Sequence, residues 1–427
     1  MTTILIGLAL ILLALYGTPL FAIISSIALI AFYFADIDTT VVIIELYRLA
    51  SQPVLLAIPL FTFAGYLLAE SKAPTRLVNF ARAMFGWFPG GISIVALITC
   101  AVFTALTGAS GVTIIALGGL LYPILLEEKY DEKFSLGLLT TSGSLGLLFP
   151  PSLPIIVYGM ISEVSIDKLF LAGLIPGILL IVILSIYNVY KVRGLHLAIQ
   201  PFHFGTLIKT IREAAWELPL PILILGSIYG GYITPTEAAA VTAFYVLIVE
   251  VFIYKDISIK TGLPKVMRDS MVLVGGILVI LGAALGMANY MIDAEIPMKI
   301  LEFVRQFIDS KWAFLIALNI FLLIVGALMD IFSAILVVVP LIIPIATSYG
   351  VDPVHLGIIF LTNLEIGYST PPVGINLFIS SFRFEKPVVK LYAASLPFIA
   401  ILLFALMIIT YVPELSLWLV EAFAGNR

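Results

Sequence analysis

The chain contains 427 residues, of which 62% are hydrophobic and only 11% are charged. Its mean hydropathy is +1.17, and its apolar runs reach the roughly 20 residues that a membrane-crossing helix needs, which excludes a soluble globular protein. The net charge of −4 and the lack of a basic cluster give no support for binding to nucleic acid. A single cysteine, Cys100, excludes an internal disulfide. The sequence therefore predicts an all-α, polytopic protein embedded in a lipid bilayer.

In the first half, residues 1–190, five segments are predicted to cross the membrane: 4–16, 20–35, 53–69, 134–161 and 169–190. The first has no charged region before it and no cleavage site, so we expect it to be retained. An amphipathic stretch, 74–88, is expected to lie in the membrane interface with its basic residues directed to lipid headgroups. Residues 92–126 are apolar but interrupted at 107–111, which predicts a re-entrant hairpin with a mid-bilayer tip.

The segment 134–161 is interrupted by Pro150 and Pro151, shortly after Gly146. Proline removes a backbone donor and breaks the helical hydrogen-bond ladder, which frees carbonyl groups. In lipid such groups must face protein or a watery cavity, so a broken helix marks a candidate binding site.

After a polar connector, residues 191–217, the same order of segments returns in residues 218–427. The predicted crossings are 218–232, 236–254, 270–291, 355–382 and 389–411. An amphipathic stretch lies at 297–308 and a hairpin at 312–347, with its tip at 326–330; the crossing 355–382 is broken at Pro371 and Pro372. Thr234 and Glu237, which flank Pro235, predict a capping box at the start of a helix.

Matched landmarks recur at nearly constant spacing. Pro371 follows Pro150 by 221 residues (371 − 150), and Pro297 follows Pro74 by 223 (297 − 74). This spacing predicts an internal duplication, with a first repeat of residues 1–190 and a second of 218–427. Because each repeat has five crossings and one hairpin that does not cross, the second repeat is expected to be inverted relative to the first.

The basic residues predict the orientation in the membrane. The side that carries both termini receives six of the 22 Lys and Arg residues, and the opposite side receives sixteen (22 − 6). Since basic residues concentrate in cytoplasmic loops, we expect both termini to face outward and the connector to be cytoplasmic.

Two enzyme classes find little support. No Gly-Lys pair occurs, so there is no Walker A loop and we expect no use of ATP by this chain. Residues 108–111, Gly-Ala-Ser-Gly, are typical of intramembrane serine proteases, but such a serine requires a nearby general base. Two of the three histidines lie in the connector, and His355 lies at the outer end of a crossing. We therefore interpret the motif as a hairpin tip and do not expect an enzyme.

Polar oxygens cluster at the tips and breaks in a pattern that fits sodium, a hard cation bound by carbonyl and hydroxyl oxygens. The first tip and break contain Thr107, Ser110, Thr140, Thr141, Ser142 and Ser144; the second contain Asp330, Ser333, Thr362, Asn363, Glu365, Ser369 and Thr370. For a single Ser or Thr, a hydrogen bond within its own helix is the commoner alternative. Asp330 differs, because a carboxylate at a hairpin tip within the membrane is costly and is usually functional.

No Lys or Arg lies in the middle of a predicted crossing. An anionic substrate would instead be held by the helix N-termini that follow the tips and breaks, because their positive dipole ends point to the centre. This arrangement favours a carboxylate without identifying it.

Five motifs stand out along the chain: Thr-Gly-Ala-Ser-Gly at 107–111, Leu-Phe-Pro-Pro-Ser at 148–152, Thr-Pro-Thr-Glu-Ala-Ala-Ala at 234–240, Gly-Ala-Leu-Met-Asp at 326–330 and Gly-Tyr-Ser-Thr-Pro-Pro-Val-Gly at 367–374. Together they resemble the large membrane subunit of tripartite ATP-independent periplasmic (TRAP) transporters, over essentially the whole chain. The resemblance implies sodium-coupled uptake of an organic acid across a bacterial inner membrane, with a periplasmic binding protein as the donor. It also implies an elevator motion, in which hairpins and broken helices move against a scaffold, and a small four-helix membrane subunit, which we expect to be a separate polypeptide.

On this basis we predict two sodium sites, one at each tip and break. The first comprises Gly108, Ser110, Ser142, Gly143 and Leu145, and the second comprises Gly326, Asp330, Asn363, Glu365 and Ile366. The organic acid is expected at Thr107, Ser110, Ser144, Pro151, Ser369, Thr370 and Pro372. Sialic acid and C4-dicarboxylates both remain open as substrates. The alternative is a stand-alone sodium–anion symporter, which shares the inverted hairpin plan but needs no binding protein.

Overall fold

A computed structural model of the chain is almost entirely helical, and it describes residues 6, 9, 10, 12, 13, 16–88, 90–193 and 202–424. The predicted crossing 4–16 lies largely outside the described residues, and so do residues 194–201 of the connector. Eight helices in the described part are long and apolar enough to cross a membrane, or up to nine if a bent pair is one span. The predicted all-α polytopic class is confirmed.

The first half contains nine described α-helices: α1 (Leu20–Phe34), α2 (Thr40–Ala50), α3 (Ala57–Glu70), α4 (Ala73–Phe85), α5 (Gly91–Thr107), α6 (Ser110–Glu127), α7 (Glu132–Ser142), α8 (Leu153–Ser162) and α9 (Ile166–Val192). Short 3₁₀ segments, Pro53–Leu56 and Leu145–Leu148, precede α3 and follow α7. The helix α2 was not predicted, because its 11 residues are too few for a span and include acidic and basic side chains.

The connector contains one described α-helix, α10 (Phe204–Glu213). The second half contains ten: α11 (Leu220–Tyr229), α12 (Pro235–Leu247), α13 (Gly262–Asp293), α14 (Ile296–Arg305), α15 (Lys311–Leu328), α16 (Ile331–Ser348), α17 (Pro353–Gly367), α18 (Ile375–Phe384), α19 (Val388–Tyr411) and α20 (Glu414–Ala424). A π-helical segment, Ile248–Ile253, continues α12. The helices α10 and α20 were not predicted. The capping box that Thr234 and Glu237 form at the start of α12 is confirmed.

Helices from the two halves pack in reciprocal pairs. α1 packs against α13, and α3 packs against α12. The second arm of each hairpin packs against the helix that follows the break in the other half, which pairs α6 with α18 and α16 with α8. Equivalent helices of the two halves thus exchange partners, and the duplication itself stays a prediction.

Both broken helices separate at the predicted prolines. A bend of 45° lies between the segments Glu132–Leu148 and Leu153–Ser162. In the second half, α17 ends at Gly367 and α18 begins at Ile375. The peptide bonds Pro150-Pro151 and Pro371-Pro372 are both cis.

The first amphipathic stretch forms α4, but its Arg76 does not point to lipid headgroups as expected. The Arg76 side chain is only 11% exposed and is surrounded by the carboxylates of Glu217, Glu250 and Asp256. These acids lie in the connector and at the end of the α12 span. The stretch is therefore fixed to the second half of the chain by a buried charge cluster.

Candidate functional site

The first hairpin tip lies against the first break. α5 ends at Thr107, Gly108 adopts a left-handed conformation (φ +68°), and α6 begins at Ser110. A Cβ added to Gly143 would lie 3.4 Å from the Ser110 carbonyl oxygen. The Thr104 hydroxyl donates to the Gly143 carbonyl at 2.7 Å. The structure therefore brings together Ser110 and Gly143, two residues of the first predicted sodium site.

A side chain from the second half completes this first tip. The Ser110 hydroxyl donates to Asn376 Oδ1 at 2.8 Å, and Asn376 Nδ2 donates to the Thr140 carbonyl at 3.4 Å. The backbone N–H of Asn376 donates to the Tyr368 carbonyl at 3.0 Å. The sequence analysis missed Asn376, although a lone amide two residues after Gly374, at the start of a largely apolar segment, could have identified it.

The second hairpin tip lies against the second break through backbone contacts. A Cβ on Gly367 would lie 2.5 Å from the Gly326 carbonyl carbon, and one on Gly326 would lie 2.9 Å from Leu364 Cα. The N–H of Gly374 donates to the Ala327 carbonyl at 3.0 Å. Only glycine allows two backbones to approach this closely. The second predicted site is thus assembled around Gly326 and residues 364–367.

Asp330 caps the helix that leaves the second tip. Its Oδ1 accepts hydrogen bonds from the N–H groups of Phe332 and Ser333, each at 3.0 Å. The N–H of Ile331, the residue between Asp330 and Phe332, donates to the Tyr368 hydroxyl. A cap of this kind is a structural role, and it also holds the carboxylate at the tip.

Asn363 and Glu365 present buried oxygens close to the second break. Asn363 Nδ2 donates to Asn319 Oδ1 at 2.7 Å. The Oδ1 atom of Asn363 has no hydrogen bond in the described part of the chain. Glu365 is 1% exposed, and neither carboxyl oxygen has a hydrogen-bond partner among the described residues. An unpaired buried carboxylate is costly unless it holds a cation or a proton. These oxygens are therefore suited to bind a coupling ion.

The two breaks meet at equivalent positions. The Ser144 hydroxyl donates to the Glu365 carbonyl at 3.2 Å, across 221 residues of sequence. That separation equals the spacing of the duplicated prolines, so each residue contacts its own counterpart in the other half. The predicted two-fold relation of the halves would place this contact near its axis.

Besides Ser110 and Ser144, which bond to the second half of the chain, seven hydroxyl groups of the candidate site fall into two classes. Four bond carbonyls within their own helical turns, as the commoner alternative predicted: Thr141, Ser142, Thr362 and Thr370. Three are buried without a hydrogen-bond partner in the described ranges: Thr107, Thr140 and Ser369. The second class has oxygens available to a ligand.

The two predicted substrate loops differ in accessibility. Pro151 in the first break is buried, whereas Pro372 in the second is exposed and Thr370 is half-buried. The second break is therefore the accessible wall of the candidate site in this conformation.

Positive potential at the site comes from helix N-termini. The hydrogen bonds described above for the tips and breaks come from hydroxyl, amide and backbone groups. The starts of α6 and α8 are adjacent, since a Cβ on Gly108 would lie 2.6 Å from the Leu153 side chain. Asn376, in the first turn of α18, bonds Ser110 at the start of α6. Three helix N-termini thus converge, which favours an anion.

The chain matches the family described as tripartite ATP-independent periplasmic transporter, DctM component, over residues 4–415. It is 39% identical over 376 residues to the C4-dicarboxylate TRAP transporter large permease protein DctM of Pseudomonas aeruginosa, covering 88% of each chain. It is 37% identical over 377 residues to the isethionate TRAP transporter permease protein DctMQ of Oleidesulfovibrio alaskensis, covering 87% of this chain and 58% of that one.

More distant similarities follow the same pattern. The sialic acid TRAP transporter large permease protein SiaM of Vibrio cholerae is 30% identical over 374 residues, with 87% of each chain covered. A solved structure, that of the Alcanivorax borkumensis YdaH transporter, is similar in fold with a TM-score of 0.61 at 12% sequence identity. That alignment covers 87% of this chain and 86% of the YdaH chain.

Proposed function

This chain belongs to the DctM family of TRAP transporter large permeases, and we propose that it imports a small organic acid together with sodium. The observation that carries this proposal is the pair of matched tips and breaks, each with buried side-chain oxygens that have no hydrogen-bond partner among the described residues. Carbonyl and hydroxyl oxygens bind sodium without requiring a full negative charge. The proposed ion sites are the two sets of residues that the sequence predicts.

We propose a carboxylate as the substrate. The converging starts of α6, α8 and α18 supply positive potential without a buried cation. The relatives named for C4-dicarboxylates, isethionate and sialic acid are all named for organic anions. Thr107 and Ser369, whose hydroxyls are buried without partners in the described part, are suited to bind the carboxylate oxygens. C4-dicarboxylates and sialic acid are the first compounds to test.

Movement of the substrate is proposed to follow an elevator motion of two inverted repeats. The hairpins, the broken helices, α9 and α19 would form the moving core, and α1, α3, α12 and α13 the fixed scaffold. The tight packing within each tip and break supports motion of the core as one body. We further propose, from the distribution of basic residues, that both termini are periplasmic, which labelling of a terminal cysteine with an impermeant maleimide would check.

Family membership implies a small membrane subunit and a periplasmic binding protein as partners. We expect uptake of the organic acid by proteoliposomes that contain this chain and its small subunit to require both a sodium gradient and added binding protein. The measurement is accumulation of radiolabelled acid, with choline replacing sodium in the control. Equal uptake in choline would contradict sodium coupling. Uptake without binding protein would instead favour the stand-alone symporter.

The charge of Asp330 can be separated from its role as a helix cap. Asparagine is also a good cap, so Asp330→Asn should keep α16 intact and remove only the negative charge. We expect uptake to fall about tenfold, which corresponds to about 1.4 kcal/mol, because a charge held at this tip is expected to act on the coupling ion.

The matched control is Glu237→Gln, since Glu237 forms the capping box of α12 and glutamine can replace it there. Uptake by this variant should be near normal at equal expression. Near-normal uptake by both variants would show that the charge of Asp330 has no role in transport.

A further inference from the structure

Resting on the proposed sodium coupling, we infer that Asn376 is a positioning residue that orients Ser110 for sodium and links the first tip to the second. Asn376 is not among the residues of the two predicted sodium sites. Asn376 follows the second break, yet its amide is inserted between the first tip and the first break. It is therefore placed to make the two ion sites depend on each other.

The first part of the inference concerns the direction of one hydrogen bond. The Ser110 hydroxyl has a single proton, and it donates that proton to Asn376 Oδ1 at 2.8 Å. Its oxygen lone pairs are then available to a cation, because the proton is directed away from them. Without Asn376, the hydroxyl could rotate and donate to a carbonyl of its own helix, as Ser and Thr commonly do. Asn376 thus holds Ser110 in the form that a sodium ligand requires.

The opposite end of the amide fixes Asn376 itself. Nδ2 donates to the Thr140 carbonyl at 3.4 Å, so Oδ1 is the atom that faces Ser110. Both Asn376 and Thr140 are fully buried, and Ser110 is 5% exposed. The orientation of the Ser110 hydroxyl is therefore set by neighbouring protein groups and not by bulk solvent.

A chain of hydrogen bonds continues from Asn376 to the second tip. Its backbone N–H donates to the Tyr368 carbonyl at 3.0 Å. The Tyr368 hydroxyl accepts a hydrogen bond from the N–H of Ile331, the first residue of α16. Tyr368 itself lies in the second break. A cation that pulls Ser110 into place therefore also stabilises the positions of the second break and the second tip.

Sodium binding to the purified full-length chain tests this inference without any transport. The measurement is the rise in unfolding temperature as sodium chloride replaces choline chloride at constant ionic strength. For Asn376→Ala we expect the sodium midpoint to rise about two- to thirteenfold, which is the range that loss of one hydrogen bond of about 0.5–1.5 kcal/mol gives. We also expect the titration to become less steep, because the two sites no longer assist each other.

A double-mutant cycle separates positioning from general support of the fold. If Asn376 acts through Ser110, then Asn376→Ala combined with Ser110→Ala should raise the sodium midpoint no more than Ser110→Ala does alone. Asn376→Asp keeps the acceptor for Ser110 and provides a second variant in case the alanine variant does not fold. Asn188→Ala is the matched control, because Asn188 is a fully buried amide in α9 with no hydrogen bond to the tips. Its sodium titration should equal that of the unaltered protein.

Three results would overturn the inference. Asn376→Ala with an unchanged midpoint and steepness would show that Ser110 needs no orientation. Additive effects of the two alanine substitutions would show that Asn376 acts independently of Ser110. If the unaltered protein shows no response to sodium, the proposed sodium coupling fails and the inference fails with it. If sodium stabilises the unaltered protein and the Asn376→Ala variant equally, the inference about Asn376 is refuted and the proposed sodium coupling still stands.

Discussion

Replacement of Arg76 by leucine is expected to abolish stable folding of this protein at physiological temperature. The Arg76 guanidinium is only 11% exposed and contacts three carboxylates. Nη1 lies 2.6 Å from Asp256 Oδ2, and Nη2 lies 3.0 Å from Glu250 Oε2. Nε donates to Glu217. Leucine would keep much of the side-chain volume and leave these three acids without their shared counter-charge.

The expected loss of folding stability is large because two of the three carboxylates are buried and have little access to water. Glu250 and Glu217 have side chains 0% and 1% exposed. Removing one partner of a buried ion pair typically costs about 3–5 kcal/mol, and here one substitution removes the partner of several acids. The Tyr254 ring, 3.8 Å from the guanidinium carbon, also loses its cation–π contact. A loss of this size equals much of the stability of a typical folded domain.

The matched control is Arg82→Leu on the same helix. Arg82 pairs with Glu128 at 3.1 Å, and the two side chains are 32% and 10% exposed. This substitution removes the partner of one carboxylate, whereas Arg76→Leu removes the shared partner of three. Unfolding temperature and the monodisperse fraction after detergent extraction should therefore be reduced much less for Arg82→Leu than for Arg76→Leu. Similar values for both variants would show that the Arg76 cluster is not essential to the fold.

The pH dependence of the Arg76 variant has a defined sign. Burial raises the pKa of Glu217 above its usual value, although Arg76 opposes this. A carboxyl whose pKa is raised on folding contributes stability below its unfolded pKa and loses it as the pH rises through the folded value. Without Arg76 the pKa of Glu217 rises further. We therefore expect the difference in unfolding temperature between the unaltered protein and Arg76→Leu to be smaller at pH 5 than at pH 8.

The charge cluster also shows what the sequence could not predict. The acids that contact Arg76 lie 141, 174 and 180 residues away in the chain. Amphipathic periodicity in α4 correctly predicted a helix that does not cross the membrane, because periodicity is a local property. The same pattern wrongly predicted that Arg76 contacts lipid headgroups. The sequence of one segment gives no information about the distant segments that pack against it.

The breaks and tips were predictable for the opposite reason. Proline and glycine act on the backbone at their own positions, so Pro150 and Pro371 locate the interruptions directly. The constant spacing then predicted equivalent positions, and the contact of Ser144 with Glu365 agrees with it. The contact of Asn376 with the first tip depends on packing between distant segments, so a local pattern could indicate the residue but not its partner.

Replacement of Gly65 by alanine is expected to stop transport while leaving sodium binding intact. Gly65 lies in α3, and a Cβ there would be 2.5 Å from Thr107 Cα and 2.8 Å from the Leu106 carbonyl oxygen. Both atoms belong to the backbone at the end of α5, which cannot rotate away as a side chain can. An ordinary contact begins at 3.4 Å, so the two helices must separate by about 0.9 Å (3.4 − 2.5).

This separation occurs between the proposed scaffold and the proposed core. α3 is assigned to the scaffold, and the end of α5 is part of the first tip in the core. Overpacking of this kind typically costs about 1–3 kcal/mol, which would disfavour the conformation in which tip and scaffold touch. Since an elevator must pass through that conformation in every cycle, we expect uptake to fall by at least about tenfold, or about 1.4 kcal/mol.

Two measurements on Gly65→Ala distinguish a sliding core from a distorted ion site. Sodium-dependent stabilisation of the purified protein should persist, because Ser110 and Gly143 contact each other within the proposed core and are expected to move together. Gly226→Ala on α11 is the control, since a Cβ there meets nothing within 4 Å, and both its uptake and its sodium titration should be unchanged. If Gly65→Ala lost sodium binding together with uptake, α3 would be part of the ion site rather than a fixed surface beside it. Normal uptake by Gly65→Ala would mean that the core does not move along α3, because a rigid obstacle between two backbones cannot be passed without cost.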